Sequence, residues 1–196
     1  MTMEKQLEAL RRRARQLAEK RPGYGELLAF YVNVRQAQMA SRASVRIDLA
    51  ALEKRLRDRP AQAGVALLGK EDFPVDVEAS MALFHALCRI GRTANPHLAL
   101  QAEKADAFFK DLPNGLKQWL TGAIDAQASA QASADPGLDP QVLAFLIRNS
   151  IRPSVEAVVA KVSPALDLEA WRQCHCPVCG CPPGLNLLRG EGGKLL

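Results

Sequence analysis

Four cysteines fall within eight residues: Cys174, Cys176, Cys179 and Cys181. The string Cys176-Pro177-Val178-Cys179-Gly180 is a Cys-x-x-Cys turn. A turn of this length presents two thiolates at the separation a tetrahedral metal ion needs. Glycine after the second cysteine admits a positive φ, so backbone N–H groups can turn toward the sulfurs and favour thiolate over thiol. Such a knuckle is half of a zinc ribbon or of a rubredoxin-like iron site. The other half must supply two more ligands, and the sequence holds no second Cys-x-x-Cys. The metal ligands expected from spacing are therefore Cys176 and Cys179, with Cys174, Cys181 and His175 as possible additions. Four ligands from eight contiguous residues would need a metallothionein-like wrap, and Pro177, Pro182 and Pro183 stiffen the segment against it. Two other readings stay open. One is a thioredoxin-like redox pair, which needs a βαβ context; the other is inert cysteines.

The remaining reactive side chains form no constellation. His85 lies in an apolar helical stretch and reads as a satisfied core histidine. His97 follows Asn95-Pro96 and reads as a helix-start residue. Cys88 stands alone among apolar neighbours and reads as a buried small hydrophobe. There is no Gly-x-Gly-x-x-Gly, no P-loop and no His-Glu-x-x-His. Carboxylates are scattered rather than paired in an apolar setting, so no catalytic residue and no cofactor-binding residue is named and an enzyme is not expected.

What must position the cysteines is a helical body. The chain has 196 residues, 48% of them hydrophobic and 5% aromatic, enough for a sizeable core without disulfides. Leu7, Leu10, Ala14 and Leu17 share one helical face. Pro22-Gly23-Tyr24-Gly25 breaks the chain before a second helix over about 26–40, and a third is expected over 49–58, ended by Pro60. Val77, Met81, Phe84, Leu87, Cys88 and Gly91 keep helical spacing after Pro74. Asn95-Pro96 separates them from a helix over 98–109, and Pro113-Asn114-Gly115 reads as a further turn leading into Trp119 and Ile124. Residues 126–140 are low in complexity and read as a surface loop. The segment from Pro140 to about Val162 is helical, with a kink or break expected near Arg152 because Pro153 lies inside it. The composition changes at Cys174. The expected division is a helical domain over 1–172 and the start of a Cys-x-x-Cys metal-binding subdomain over 173–196.

The net charge is +5, and all of the basic excess lies early: residues 1–60 carry 14 Lys and Arg against 7 Asp and Glu, and residues 61–196 carry 12 against 14. The peak is Arg11-Arg12-Arg13-Ala14-Arg15. It suits a solvated helix face, or contact with nucleic acid or an acidic protein. No aromatic residues interleave with it, which counts against single-strand binding. No apolar run is long enough to cross a membrane and no secretory leader is apparent, so membrane insertion is not expected and a cytoplasmic location is.

The cysteine turn and its surroundings resemble the FdhE family of formate dehydrogenase accessory proteins. The resemblance rests on Trp171 followed by Cys176-Pro-Val-Cys-Gly-Cys-Pro-Pro183, where Cys181 stands in place of the family's usual Ser. It extends to Gly192-Gly193-Lys194-Leu195-Leu196, similar to the hairpin before the family's next Cys-x-x-Cys, to Leu17-Ala18-Glu19-Lys20-Arg21-Pro22, Leu28-Ala29-Phe30 and Ala37-Gln38, and to Phe145-Leu146. The resemblance implies a mainly α protein whose multi-helix body precedes the first knuckle of a zinc-ribbon or rubredoxin-like domain, left incomplete because the family continues with further Cys-x-x-Cys pairs. It implies zinc or iron as the metal. It also implies a chaperone-like maturation factor that binds the molybdenum- or tungsten-containing catalytic subunit of formate dehydrogenase in the cytoplasm. A homodimer sharing metal is a further possibility. The alternatives are a nucleic-acid-binding helical protein with a zinc-ribbon tail, or a nonfunctional truncated remnant; nucleic acid is the less expected partner.

Overall fold

Helix starts in this protein are written by side chains that accept the backbone N–H groups a first turn leaves unpaired. Asp76 accepts from the Ala79 N–H at 3.0 Å, and Asn95 accepts from the Leu98 N–H at 2.9 Å with Pro96 in the first turn behind it. Asp139 accepts from the N–H groups of Gln141 at 2.8 Å and Val142 at 3.4 Å. Each cap of this kind is worth about 1 kcal/mol.

The computed structural model describes residues 2–48, 50, 52–54, 64–69, 73–122 and 137–182. It is mainly helical, with no strand among the described residues. The helices are α1 (Met3–Lys20), α2 (Gly25–Arg42), α3 (Val77–Gly91), α4 (Pro96–Asp111), α5 (Pro113–Gly122) and α6 (Pro140–Val162); short 3-10 turns occupy Pro22–Tyr24 and Ser163–Ala165. Residues 52–54 are helical, while most of the third helix expected over 49–58, Ile124, and residues 126–136 of the expected loop lie outside the described residues.

The chain forms two compact units, Met1–Ile47 with Pro74–Val158, and Asp48–Phe73 with Val159–Leu196. This division differs from the one expected at residue 173: the segment before α3 belongs with the cysteine-bearing end, and the first unit stops inside α6. Composition changes at Cys174, after regular helix has already ended at Ala165, and which segments pack together is decided by long-range burial.

The first unit is built on a core of Phe84, Leu87 and Cys88 from α3, Ala105 and Phe109 from α4, Leu116 and Leu120 from α5, and Leu146 and Ile147 from α6, all nearly inaccessible. Phe84 meets Phe109 edge-to-face at 5.4 Å between ring centres. Helices α3 and α4 approach closely at Gly91, where a Cβ would sit 2.8 Å from the Ala102 Cβ.

One local expectation is corrected and another is narrowed. Pro113-Asn114-Gly115 is not a turn before a helix but the first turn of α5, because proline is tolerated where N–H groups have no intrahelical acceptor anyway. Pro153 does not break α6, which runs through to Val162. Proline removes the hydrogen bond to the carbonyl four residues earlier, here Asn149. That carbonyl instead accepts from Gln38 Nε2 of α2 at 3.0 Å, and Gln38 Nε2 also reaches Asn149 Oδ1 at 3.0 Å. Gln38 is only 1% exposed, so an amide from another helix replaces the lost bond inside the unit.

Candidate functional site

In the second unit the chain leaves α6 through Ser163–Ala165 and runs without regular structure to the cysteine turn. The turn is closed on itself. The Cys176 N–H donates to the Cys181 carbonyl at 2.8 Å, and the Gly180 N–H donates to the Cys176 carbonyl at 2.9 Å. Gly180 has φ +68°, the left-handed conformation that the sequence pattern anticipates. Ahead of the turn, Trp171 Nε1 donates to the His175 carbonyl at 2.9 Å, and its ring stands edge-on to the imidazole at 5.3 Å.

The turn is also held from a distant stretch of chain. The N–H groups of Leu67 and Leu68 donate to the carbonyls of Pro177 and Val178, each at 2.9 Å. Val178, at the tip of the Cys-x-x-Cys step, is 3% exposed. A Cβ on Gly180 would lie 3.4 Å from the Ala66 Cβ. The segment 64–68 thus lies against the turn backbone to backbone. Nothing in Gly64-Val65-Ala66-Leu67-Leu68 announces this, because the bonds run through main-chain atoms that every sequence has.

All four cysteines are free thiols; Cys174 is exposed and the other three are half-buried. Burial pushes the Cys179 thiol up to about 12; the Cys181 N–H pointing at its sulfur works in the opposite sense, while the hydrogen bond with the Cys181 side chain and the charge of a neighbouring Cys176 thiolate add to the rise. An N–H directed at a cysteine sulfur is the hydrogen bond a metal knuckle uses. Cys176, Cys179 and Cys181 are therefore electrostatic neighbours. Among the described residues no three His, Cys, Asp or Glu side chains are grouped so as to hold a metal ion. Cys174 and His175 are not gathered with the Cys176–Cys179 pair into such a group, so the described residues do not assemble a closed four-ligand zinc or iron site.

The first unit holds two polar hubs that sequence reasoning missed. Asp106 of α4, 2% exposed, binds His85 Nδ1 at 2.8 Å, Arg92 Nη2 at 2.7 Å and Lys110 Nζ at 3.0 Å. Burial raises its carboxyl, but the hydrogen bonds from His85 and Lys110 outweigh that and hold it below the usual carboxylate range. His85 is thus tied to a carboxylate, and Cys88, one turn further along α3, is buried and pushed up to about 12, first by burial and then by the Asp106 charge. The second hub is Glu156 of α6, bound to Arg152 Nε at 2.9 Å and Arg35 Nη1 at 3.0 Å, with Arg42 Nη1 at 3.4 Å. The visible signals were local, Asp106 and Lys110 or Arg152 and Glu156 four residues apart on one helix; the partners on other helices were not legible. His97 of α4 pairs with Asp139 at 2.8 Å, joining two helix starts. The geometry of both hubs is that of polar networks tying helices together.

Searches of protein families, of curated proteins and of solved structures find no match for this chain. No described helix is long and apolar enough to cross a membrane.

Proposed function

We propose that this protein is an accessory factor for formate dehydrogenase, a member of the FdhE family that holds the molybdenum- or tungsten-containing catalytic subunit in the cytoplasm while it matures. The observation that carries the reading is the cysteine turn. The residues behind the resemblance, Trp171 and the string from Cys176 to Cys181, build one closed structure: Trp171 anchors the His175 carbonyl, Gly180 takes the positive φ, and the Cys181 N–H points at the Cys179 sulfur. In this reading Cys176 and Cys179 are the metal-facing pair, with Cys174, Cys181 and His175 as the possible additional donors, and the ligand set is left incomplete in this chain. The helical unit does the binding. Its ion-pair hubs and the Gln38 bond fix the helices against each other, so a docking face on them is preformed and association need not order it.

Co-purification from cells making the catalytic subunit tests the reading. The tagged chain is expected to enrich that subunit over a helical protein of similar charge, and zinc and iron are measured in the eluted complex and in the chain alone. No enrichment, with a longer Cys-rich accessory protein enriching the subunit in parallel, would overturn it. A full equivalent of zinc or iron in the isolated monomeric chain would overturn the assignment of an incomplete ligand set.

A further inference from the structure

Helix α1 has 18 residues and an apolar stripe, yet none of its residues is buried. An amphipathic helix draws most of its stability from covering that stripe. Here α1 lies beside α2 across the tight turn at Pro22–Tyr24, and between the two helices runs an open groove of about 450 Å³. Its floor is made of small residues, Ala14 and Ala18 from α1 and Gly25 and Ala29 from α2. Gly25 has open space where a Cβ would stand. Small residues at helical spacing let another backbone come close. Leu28 and Val32 of α2 line it as well, and on the same two helices and the turn between them Leu17, Leu27 and Tyr24 face solvent.

The charge at the groove is one-sided. Arg11 and Arg15 line it, and no carboxylate does. Arg11 is held by a neutral acceptor, Gln36 Oε1 at 2.8 Å, so its charge is oriented without being cancelled. Arg15 makes no ion pair with any described residue. Elsewhere in this unit Asp106 and Glu156 hold Arg92, Arg35, Arg42 and Arg152, whereas Arg11 and Arg15 stand beside an apolar channel whose lining holds no carboxylate. The chemistry complementary to this channel is apolar along one side and acidic along its edge.

We propose that the α1–α2 groove is the client-docking site and that it takes an amphipathic helical segment of the client whose apolar stripe is bordered by Asp or Glu. This is the helix-in-groove mode of recognition, with Arg11 and Arg15 setting orientation through carboxylates and the small floor setting closeness of approach. The proposal rests on the reading of the chain as a client-binding factor, and it names where and by what chemistry the client is held.

The test uses the whole chain and a fluorescein-labelled synthetic helix of about four turns, with leucines on one face and glutamates beside them. Two controls carry lysine for glutamate or serine for leucine. Fluorescence anisotropy is expected to show binding of the acidic peptide that is at least about tenfold tighter than either control and that weakens as salt is raised. Arg15→Glu and Ala29→Trp, both at exposed positions that leave the core untouched, are each expected to lower affinity at least about tenfold, with unchanged circular dichroism. Equal binding of the acidic and lysine peptides, or indifference to both substitutions, would overturn the proposal. So would binding of a phosphatidylserine vesicle or an RNA oligomer, abolished by Arg15→Glu, with no binding of the peptide. Co-purification separates this proposal from the functional one. A chain carrying Ala29→Trp that still enriches the catalytic subunit would sink the groove and leave the function standing. Groove-dependent peptide binding without enrichment of that subunit would do the reverse.

Discussion

Asp106 in α4 and Cys179 in the cysteine turn are both acids that folding draws out of water, and their pKa values move in opposite directions. Burial favours the neutral form of each. At Asp106 the Arg92 and Lys110 cations and the His85 imidazole are within hydrogen-bonding distance, and the carboxyl ends below its usual range. At Cys179 the closest polar neighbours are other cysteines and one backbone N–H, and the thiol is pushed up to about 12. The difference lies in who stands beside the group rather than in how deeply it is buried. One unit has completed its electrostatics internally. The cysteine turn has no cationic neighbour among the causes that set its thiol, and Cys179 keeps its proton.

The largest effect expected from breaking this contrast is at Asp106. Replacing it by alanine leaves His85, Arg92 and Lys110 facing a buried gap, and a loss of about 3 kcal/mol is expected from urea unfolding, within the lower part of what breaking a buried ion pair costs. The loss stays in the lower part because Arg92 and Lys110 can return to water. A loss below about 0.5 kcal/mol, the size of a surface substitution, would show that the hub does not hold α3 to α4.

Acid sharpens the same point. The Asp106 carboxyl is lower folded than unfolded, so its stabilisation is fully present above the unfolded value of about 3.9 and is lost as pH falls through the folded value. Glu156 is lowered too, because the hydrogen bonds from Arg152 and Arg35 outweigh its burial, and it adds to the loss in the same direction. Stability followed by urea titration is expected to decline below about pH 4 in the wild type. The decline is expected to be shallower in Asp106→Asn. Parallel curves for the two proteins would contradict the assignment.

The thiol side is read by alkylation. With its thiol near 12, Cys179 carries little thiolate at pH 8, so iodoacetamide is expected to label it at least about tenfold more slowly in the folded chain than in guanidinium. Peptide mass spectrometry resolves the site. Equal rates would mean that the turn does not protect the proton. The smallest effect is expected at Gly180→Ala, which places a Cβ in the left-handed region and against Ala66. It is expected to cost about 1 kcal/mol. The faster hydrogen exchange is expected at the Leu67 and Leu68 amides, which bind the turn.

The outlines of α1 to α4 were legible because their starts and stops are written locally, in Pro22-Gly23, Asp76 and Asn95-Pro96. Gly180 was legible for the same reason, since a glycine after Cys-x-x-Cys has one conformation to supply. What could not be read was whatever joined distant segments. Pro153 signals a missing bond, but the residue that replaces it is Gln38, on another helix. The Cys-x-x-Cys string shows no sign that the backbone of 64–68 holds it. Asp106 looked like one scattered carboxylate because His85 and Arg92 approach it only once α3 has docked. The absence of a second Cys-x-x-Cys was plain in the sequence, whereas the position of His175, turned to Trp171, was not.

The bond from Gln38 to the Asn149 carbonyl has a consequence for how α2 and α6 can slide. Two smooth helices packed through apolar side chains can often shift by a turn and find nearly equivalent contacts. Here Pro153 has left one carbonyl in α6 that only a donor can satisfy, and α2 carries one uncharged donor opposite it. A slip of one turn brings Val34 to that place, which has nothing to donate, or Arg42, which brings a charge into a position where Gln38 is 1% exposed. Either shift leaves a buried polar group unsatisfied or a buried cation without its partner. Proline, usually regarded as a flaw in a helix, acts here as a key that admits a single register.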